Sequence, residues 1–307
     1  MAQATRPASC CDFKIAIICE REIETDVVKA LFDRHWDSEG SSYGTAPGDP
    51  NVYYTGFISR HNVVLISILD TEKTNAAAAV FYCHVSFPNI NFALVVGVCG
   101  AAPFVDGAEN KIMLGDVIIS DGLIQDDLKR RHPERFKHKE SLLDSPSGPR
   151  VGIPPVLAEL NSIHGRKILA SKTASYLDKL QKESGLKAEY PGVQHDKLFE
   201  ATYRHISEGT CEECDCSGQL VPRPGPDDGT PKPAVHFGWT MSLDTAIETG
   251  ERRDEIVQRN GAIGFQMASV EAWNSFPCLV IKGACNYADG HRINVWQNYA
   301  TATASAV

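Results

Sequence analysis

The sequence predicts an α/β protein, a three-layer α/β/α sandwich around a central mixed, mostly parallel sheet. Three observations predict it. Apolar runs of strand length alternate with segments of helical spacing, the order that crossover-connected strands require. The run 92–98 is apolar throughout, as a strand covered on both faces must be. Residues 261–299 read as strand, helix, strand, polar loop and closing helix, with polar residues starting where each apolar run stops. In open α/β sheets the carboxyl ends of strands are where ligands bind, so 266–268 and 286–289 are expected to share one rim.

The elements follow in order. Residues 13–18 are isoleucine-rich and predict the first strand. In 24–35 Val27, Val28, Leu31 and Phe32 fall on one helical face, which predicts a helix. Residues 38–49 are a Gly/Ser/Pro/Asp loop, and 52–58 and 62–69 are two β-runs joined by a turn at Ser59, Arg60 and His61. An alanine-rich helix is expected over 74–86, the central strand over 92–98 and a further strand over 115–121. Helices are expected over 154–163, 171–184 and 252–259, with a strand over 235–241. The layout is one domain over 12–307 behind a tail of 1–11, without internal repeats. The chain stops at Val307 inside an alanine-rich helical pattern, as a piece of a longer protein would.

Composition narrows the function classes. With 43% hydrophobic residues a large core is available, and a net charge of −9 argues against nucleic acid or an anionic membrane as partner. Lys129, Arg130 and Arg131 sit beside Asp126 and Asp127 and read as a solvated face. The longest apolar run, 92–105, is too short to span a bilayer and holds two glycines and a proline. Residues 15–19 are too short for a signal-peptide core, and Glu20, Arg21 and Glu22 follow at once. Cys19, Cys83, Cys99, Cys278 and Cys285 lie in or beside apolar segments, as buried thiols do. A soluble cytoplasmic protein is expected.

The stretch 205–233 breaks the alternation. It holds five prolines, several glycines and the cluster Cys211, Cys214 and Cys216, and reads as an irregular insertion. Two readings stay open: a zinc site with His205 as fourth ligand, or an exposed loop whose thiols are free or disulfide-bonded. No obvious fourth ligand favours the second, so no metal or cofactor is expected.

Several motifs, in order along the chain, carry a resemblance. They are Tyr43-Gly44-Thr45-Ala46-Pro47-Gly48-Asp49-Pro50-Asn51, the turn Val96-Gly97-Val98-Cys99-Gly100-Ala101, and the strand Leu114-Gly115-Asp116-Val117-Ile118-Ile119-Ser120-Asp121. After them come His236-Phe237-Gly238 with Ser242-Leu243-Asp244, then Gln266-Met267-Ala268, then Asn286. The chain thereby resembles the nucleoside phosphorylase superfamily, in particular the fungal branch of the purine/uridine phosphorylase and methylthioadenosine nucleosidase group. The resemblance runs over 13–306 and is weakest over 208–233.

Such a likeness implies cleavage of a ribosyl N-glycosidic bond in a purine nucleoside, with water or phosphate as co-substrate, by a homo-oligomer. It implies binding by Cys99, Gly100 and Ala101 on the glycine turn, by Ile247 and Phe265, and by Gln266, Met267 and Ala268. The family's Glu-Met-Glu stands here as Gln266-Met267-Ala268, and its general-acid aspartate as Asn286. Asn286 can hydrogen-bond a purine N7 but has no proton to give, and loss of a general acid costs about 10²–10⁴ in rate. Ala268 cannot accept from ribose hydroxyls, a loss of about 1.5–3 kcal/mol per charged hydrogen bond. Glu24 matches the glutamate that positions attacking water, although a carboxylate at a helix N-terminus needs no such role. Val95 and Val98 stand where phosphorolytic members hold phosphate with arginine and serine, which favours hydrolysis. Asp70 and Glu72 stand where relatives have glycines. Asp289 and Glu271 are candidate displaced acids, or else an exposed loop aspartate and a surface helix glutamate.

Two functions follow. One is a purine-nucleoside hydrolase attenuated by Ala268 and Asn286. The other is a nucleoside-binding or regulatory module without turnover, like the domains fused to sensor modules in fungal immune-type proteins. Other classes lack their motifs: there is no Gly-x-Gly-x-x-Gly after the first strand, and no P-loop.

Overall fold

The computed structural model describes residues 5–40, 42–68, 73–105, 110–125, 152–205, 209–211, 213–223, 232–243, 245–267, 277–291 and 293–307. The first half contains β1 (Ile15–Cys19), α1 (Glu22–Ala30), β2 (Arg34–His35), β3 (Val52–Ile58), β4 (His61–Ser67), α2 (Lys73–Ser86) and β5 (Phe92–Ala101). A short ribbon of β6 (Phe104–Val105) and β7 (Asn110–Lys111) precedes β8 (Val117–Gln125). Then come α3 (Ile153–Asn161), α4 (Ile163–Gln181), β9 (Val235–Ser242), α5 (Gly250–Asn260), β10 (Ala262–Gln266), β11 (Cys278–Asn286) and α6 (Gln297–Ala306).

The main sheet runs β10-β9-β8-β11-β5-β1-β4-β3-β2, and β10 also pairs with β5, so five strands close on themselves. Pairings of β1 with β4 and β5, β5 with β11, and β9 with β8 and β10 are parallel. Those of β10 with β5, β11 with β8, β3 with β2 and β3 with β4 are antiparallel. The sheet is therefore mixed, with the parallel strands around β1, β5 and β11 at its centre. Their apolar sequences explain that position: Ala16, Val64, Leu65, Val95 and Val280 are fully buried.

Three differences from the expected elements have physical causes. The helix after β1 stops at Ala30, because Arg34 and His35 pair as a strand with Phe57 and Gly56. The expected glycine turn over 96–101 is strand throughout: Gly97 and Gly100 continue the β5–β11 ladder, and Gly100 also pairs with Phe265. The second apolar run of the 261–299 stretch, 277–281, is only the start of its strand, which runs on to Asn286 and carries Lys282 inside it. Of the insertion, the described residues form turns, with one isolated bridge between Phe199 and Leu220. Among the described residues no helix is long and apolar enough to cross a membrane.

Helix α6 crosses β11 at Gly283, where a Cβ would lie 2.0 Å from the Ala300 carbonyl oxygen. Ala300 makes this contact, and the residues around it on the helix, Ala302, Thr303 and Ala304, are likewise small and essentially buried. Small residues on both sides permit the close approach. Gly283→Ala is expected to cost at least about 1–3 kcal/mol, because backbone rather than a flexible side chain must yield. The denaturant midpoint measures it, and an unchanged midpoint would contradict the contact.

Candidate functional site

The carboxyl ends of β1, β5, β10 and β11 meet around a cavity of about 810 Å³. That is within the usual range of about 300–1,000 Å³ for small-molecule sites. Glu24, Cys99, Gly100, Ile247, Phe265, Gln266, Met267 and Asn286 all line it. Ala101 and Asp289 are not among the lining residues, and Ala268 and Glu271 lie outside the described residues, as do Asp70 and Glu72.

Glu24 lines the cavity and is 1% exposed. Its Oε2 accepts from the N–H groups of Glu20 at 2.9 Å and Arg21 at 3.2 Å, capping α1. Its Oε1 accepts from the Val98 N–H at 3.2 Å, reaching across to β5. The helix-capping reading of this residue therefore holds, and the same side chain also faces the cavity. Gly97 makes this possible: a Cβ there would lie 2.5 Å from Glu24 Oε1.

Beneath the carboxylate sits Lys282, fully buried, with Nζ 3.5 Å from Glu20 Oε1 and no hydrogen bond of standard geometry among the described residues. Burial would lower its pKa, but Glu20 and Glu24 outweigh that and hold it above the ordinary 10.5. For Glu24 the balance is the reverse. Burial raises its carboxyl above the ordinary 4.5, with the Lys282 ammonium opposing. Sequence reasoning missed this lysine. The signal was present, since a lysine flanked by Leu279, Val280, Ile281 and Ala284 has no solvated face to occupy and needs a buried carboxylate.

Asn286 ends β11 at a bulge, where the register against β5 shifts between Ala284 and Asn286. Its Oδ1 accepts from the Ala288 N–H at 2.9 Å, and its Nδ2 lies 3.4 Å from Cys285 Sγ. A Cβ on Gly100 would fall 2.9 Å from Asn286 Oδ1, so this glycine gives the amide its place. Ala288 takes a left-handed φ of 48°, rare for a residue with a Cβ, which turns the chain back under the cavity.

Asp289 is 4% exposed. The exposed-loop reading of Asp289 is corrected by this burial. Its Oδ2 lies 3.8 Å from the Arg253 guanidinium of α5, and its Oδ1 accepts from the His291 N–H at 3.1 Å. Burial still raises its carboxyl, against His291 and Arg253. Arg253 also donates to the Tyr287 carbonyl at 3.0 Å, so α5 fixes the whole loop after β11.

Cys99 and Cys285 back the cavity wall, their thiols pushed up by burial to about 12 and about 11, which makes them packing groups. Gln266 is nearly buried while Met267 is half exposed at the rim. The matched motifs at Asp116 and His236 are structural. Asp116 accepts from the Met113 and Ala234 N–H groups, and its Oδ2 meets His236 Nε2 at 3.0 Å, tying β8 to β9. Arg21 and Arg204 also line the cavity, cations that the sequence reading did not place there. Arg21 Nη1 donates to Gln297 Oε1 at 3.3 Å, and Arg204 pairs with Glu251 at 3.7 Å.

At the far end of the cavity the insertion meets the loop after β11. His205, Cys211, Cys216 and His291 bring one donor atom each within 4.8 Å of the others. Cys214, a ligand in the zinc reading of the sequence, donates to the Thr210 carbonyl at 3.0 Å and lies 3.5 Å from Cys216 Sγ and 3.7 Å from His205 Nε2. No cysteine is disulfide-bonded.

Comparison with known proteins places the architecture. The chain superposes on futalosine hydrolase of Helicobacter pylori with a TM-score of 0.54 at 14% identity, over 96% of this chain and 94% of that one. It matches 5'-methylthioadenosine/S-adenosylhomocysteine nucleosidase from Neisseria meningitidis, in complex with methylthio-immucillin-A, at 0.54 and 14% over 95% of each. An aspartate-to-asparagine mutant of the Helicobacter pylori nucleosidase, with 5'-methylthioadenosine in its active site, gives 0.52 and 14%, also over 95% of each. The chain thus has the fold of these nucleosidases. In sequence it is 27% identical over 303 residues to a nucleotide-binding leucine-rich repeat (NLR)-like protein of Hyaloscypha variabilis. That match covers 96% of this chain, which spans about 28% of the relative's length. No family model matches.

Proposed function

We propose that the chain is a purine-nucleoside N-ribosyl hydrolase, attenuated by Asn286 and Ala268, and that residues 12–307 act as one nucleoside phosphorylase-like domain. The observation that carries this reading is the convergence of Glu24, Met267 and Asn286 on one cavity of nucleoside size. Water held by ionised Glu24 attacks the anomeric carbon while the bond to the base breaks. The water proton passes to Glu24, the bonding pair leaves with the base, and solvent supplies the proton that Asn286 cannot. Asn286 holds N7 through its amide N–H, and Met267 packs on the sugar.

Hydrolysis is favoured over phosphorolysis because the Val98 N–H, at the position where relatives grip phosphate, is already given to Glu24. The curated relative favours a second reading, a nucleoside-sensing module within a longer NLR-like protein, since the chain matches 28% of that protein's length. Incubation with adenosine, inosine, guanosine and methylthioadenosine, with and without phosphate, separates the two. Free base released without phosphate supports hydrolysis. A nucleoside-induced rise in melting temperature with no release supports the sensor. Neither release nor a thermal shift with any of the four would sink both.

A further inference from the structure

The cluster at one wall of the cavity brings four metal-ligating side chains together. Cys216 Sγ lies 3.3 Å from His205 Nδ1, Cys211 Sγ 3.8 Å from the same nitrogen, and Cys211 Sγ 3.5 Å from His291 Nδ1. Tetrahedral zinc, with bonds of about 2.3 Å to sulfur and about 2.0–2.1 Å to nitrogen, separates its ligand atoms by about 3.4–3.8 Å. These three sulfur–nitrogen separations fall close to those edges, and all four donor atoms lie within 4.8 Å of one another.

The outer nitrogens of the two rings supply a second, independent observation. His205 Nε2 lies 2.8 Å from the Gly209 carbonyl oxygen, and His291 Nε2 3.3 Å from that of Tyr203. A carbonyl only accepts, so each Nε2 carries the ring proton and each Nδ1 turns a lone pair inward, towards the sulfurs. Metal-bound histidines are oriented in this way by their outer hydrogen bonds. The His291 ring is held further by stacking on Phe199, with centroids 4.1 Å apart.

We propose that His205, Cys211, Cys216 and His291 bind a structural zinc ion that staples the insertion onto the loop after β11. Four protein ligands close the coordination shell, as in structural rather than catalytic sites. Binding converts both thiols to thiolates and releases their protons. His205 and His291 also line the nucleoside cavity, so the ion fixes one of its walls. The site does not depend on the proposed hydrolysis.

The test uses the whole chain purified without chelator. Metal analysis is expected to find about one zinc per chain, held with a Kd below about 1 µM in competition with a chromophoric chelator. Cobalt(II) is expected to give the visible bands of tetrahedral coordination with thiolate charge transfer. Chelator is expected to lower the melting temperature, with zinc but not magnesium restoring it. His291→Ala should lose the zinc and the tetrahedral cobalt spectrum, while Cys214→Ser should keep both. A wild-type chain with neither zinc nor a cobalt spectrum would leave two thiol–imidazole hydrogen bonds and overturn the proposal. Loss of metal in Cys214→Ser, or its retention in a folded His291→Ala, would overturn the ligand set.

Discussion

Base release from purine nucleosides is expected to rise more than about tenfold when Ala268→Glu and Asn286→Asp are combined, since a general acid alone contributes about 10²–10⁴. The backbone is already arranged for the second exchange. Asn286 Oδ1 is anchored by the Ala288 N–H at 2.9 Å, and an aspartate would keep that oxygen in place. Its other oxygen would then take the amide nitrogen's position with a proton to give. The glutamate at 268 adds a charged acceptor for the ribose hydroxyls, about 1.5–3 kcal/mol if realised in the transition state. The comparison is made on kcat/KM, with Asn286→Asp alone isolating the acid. A double variant that folds and binds nucleoside yet releases base no faster would show that these positions do not carry the missing chemistry.

Glu24→Gln is expected to remove about 10²–10⁴ of whatever hydrolysis the wild-type or reverted chain shows, because the amide cannot take the proton of attacking water. The pH profile gives the sharper reading. Hydrolysis needs the ionised carboxylate, and burial raises its pKa above 4.5, so the rate should fall on acidification through a pKa above that value. The stability linkage has a defined sign. A raised folded-state pKa means that the folded chain holds the proton more tightly. The associated stability is full below 4.5 and is lost as pH rises through the folded-state pKa. Gln removes that dependence but sets an NH₂ against one of the three backbone donors, a cost of about 1–3 kcal/mol. Circular dichroism must therefore accompany the kinetics. An unaltered rate and acid limb in folded Glu24→Gln would exclude Glu24 as the base.

How much of this was legible in the sequence depended on whether the cause was local. The central strands were, because runs such as Ile15 to Cys19 and Cys278 to Ile281 are apolar on both faces. Their ends were not. Gly97 and Gly100 look like turn residues until Glu24 and Asn286 are seen to fill the space that their missing side chains leave. Lys282 is the first polar residue after the apolar run 277–281, yet it lies beside Gly97 on the neighbouring strand and close to two carboxylates from the β1–α1 junction. That arrangement is set by pairing between distant segments, which no local pattern encodes. The same holds for His291, whose nearness to Cys211 depends on how the insertion folds back. The shared cavity of Glu24, Met267 and Asn286 was anticipated only through the order of motifs.

Ring closure of the five strands has a bearing on how the protein behaves when concentrated. Because β10 bonds to both β9 and β5, the described part of the main sheet has a free edge on one side only, made of the two-residue β2 and the part of β3 that runs past it, 52–55. It carries Arg34, whose guanidinium pairs with Glu39 at 2.6 Å. With β2 charged and the Thr55 N–H of β3 already given to Asp37, this edge leaves only a short stretch of backbone open to strand addition by a second molecule, which limits edge-to-edge aggregation of an apolar sheet.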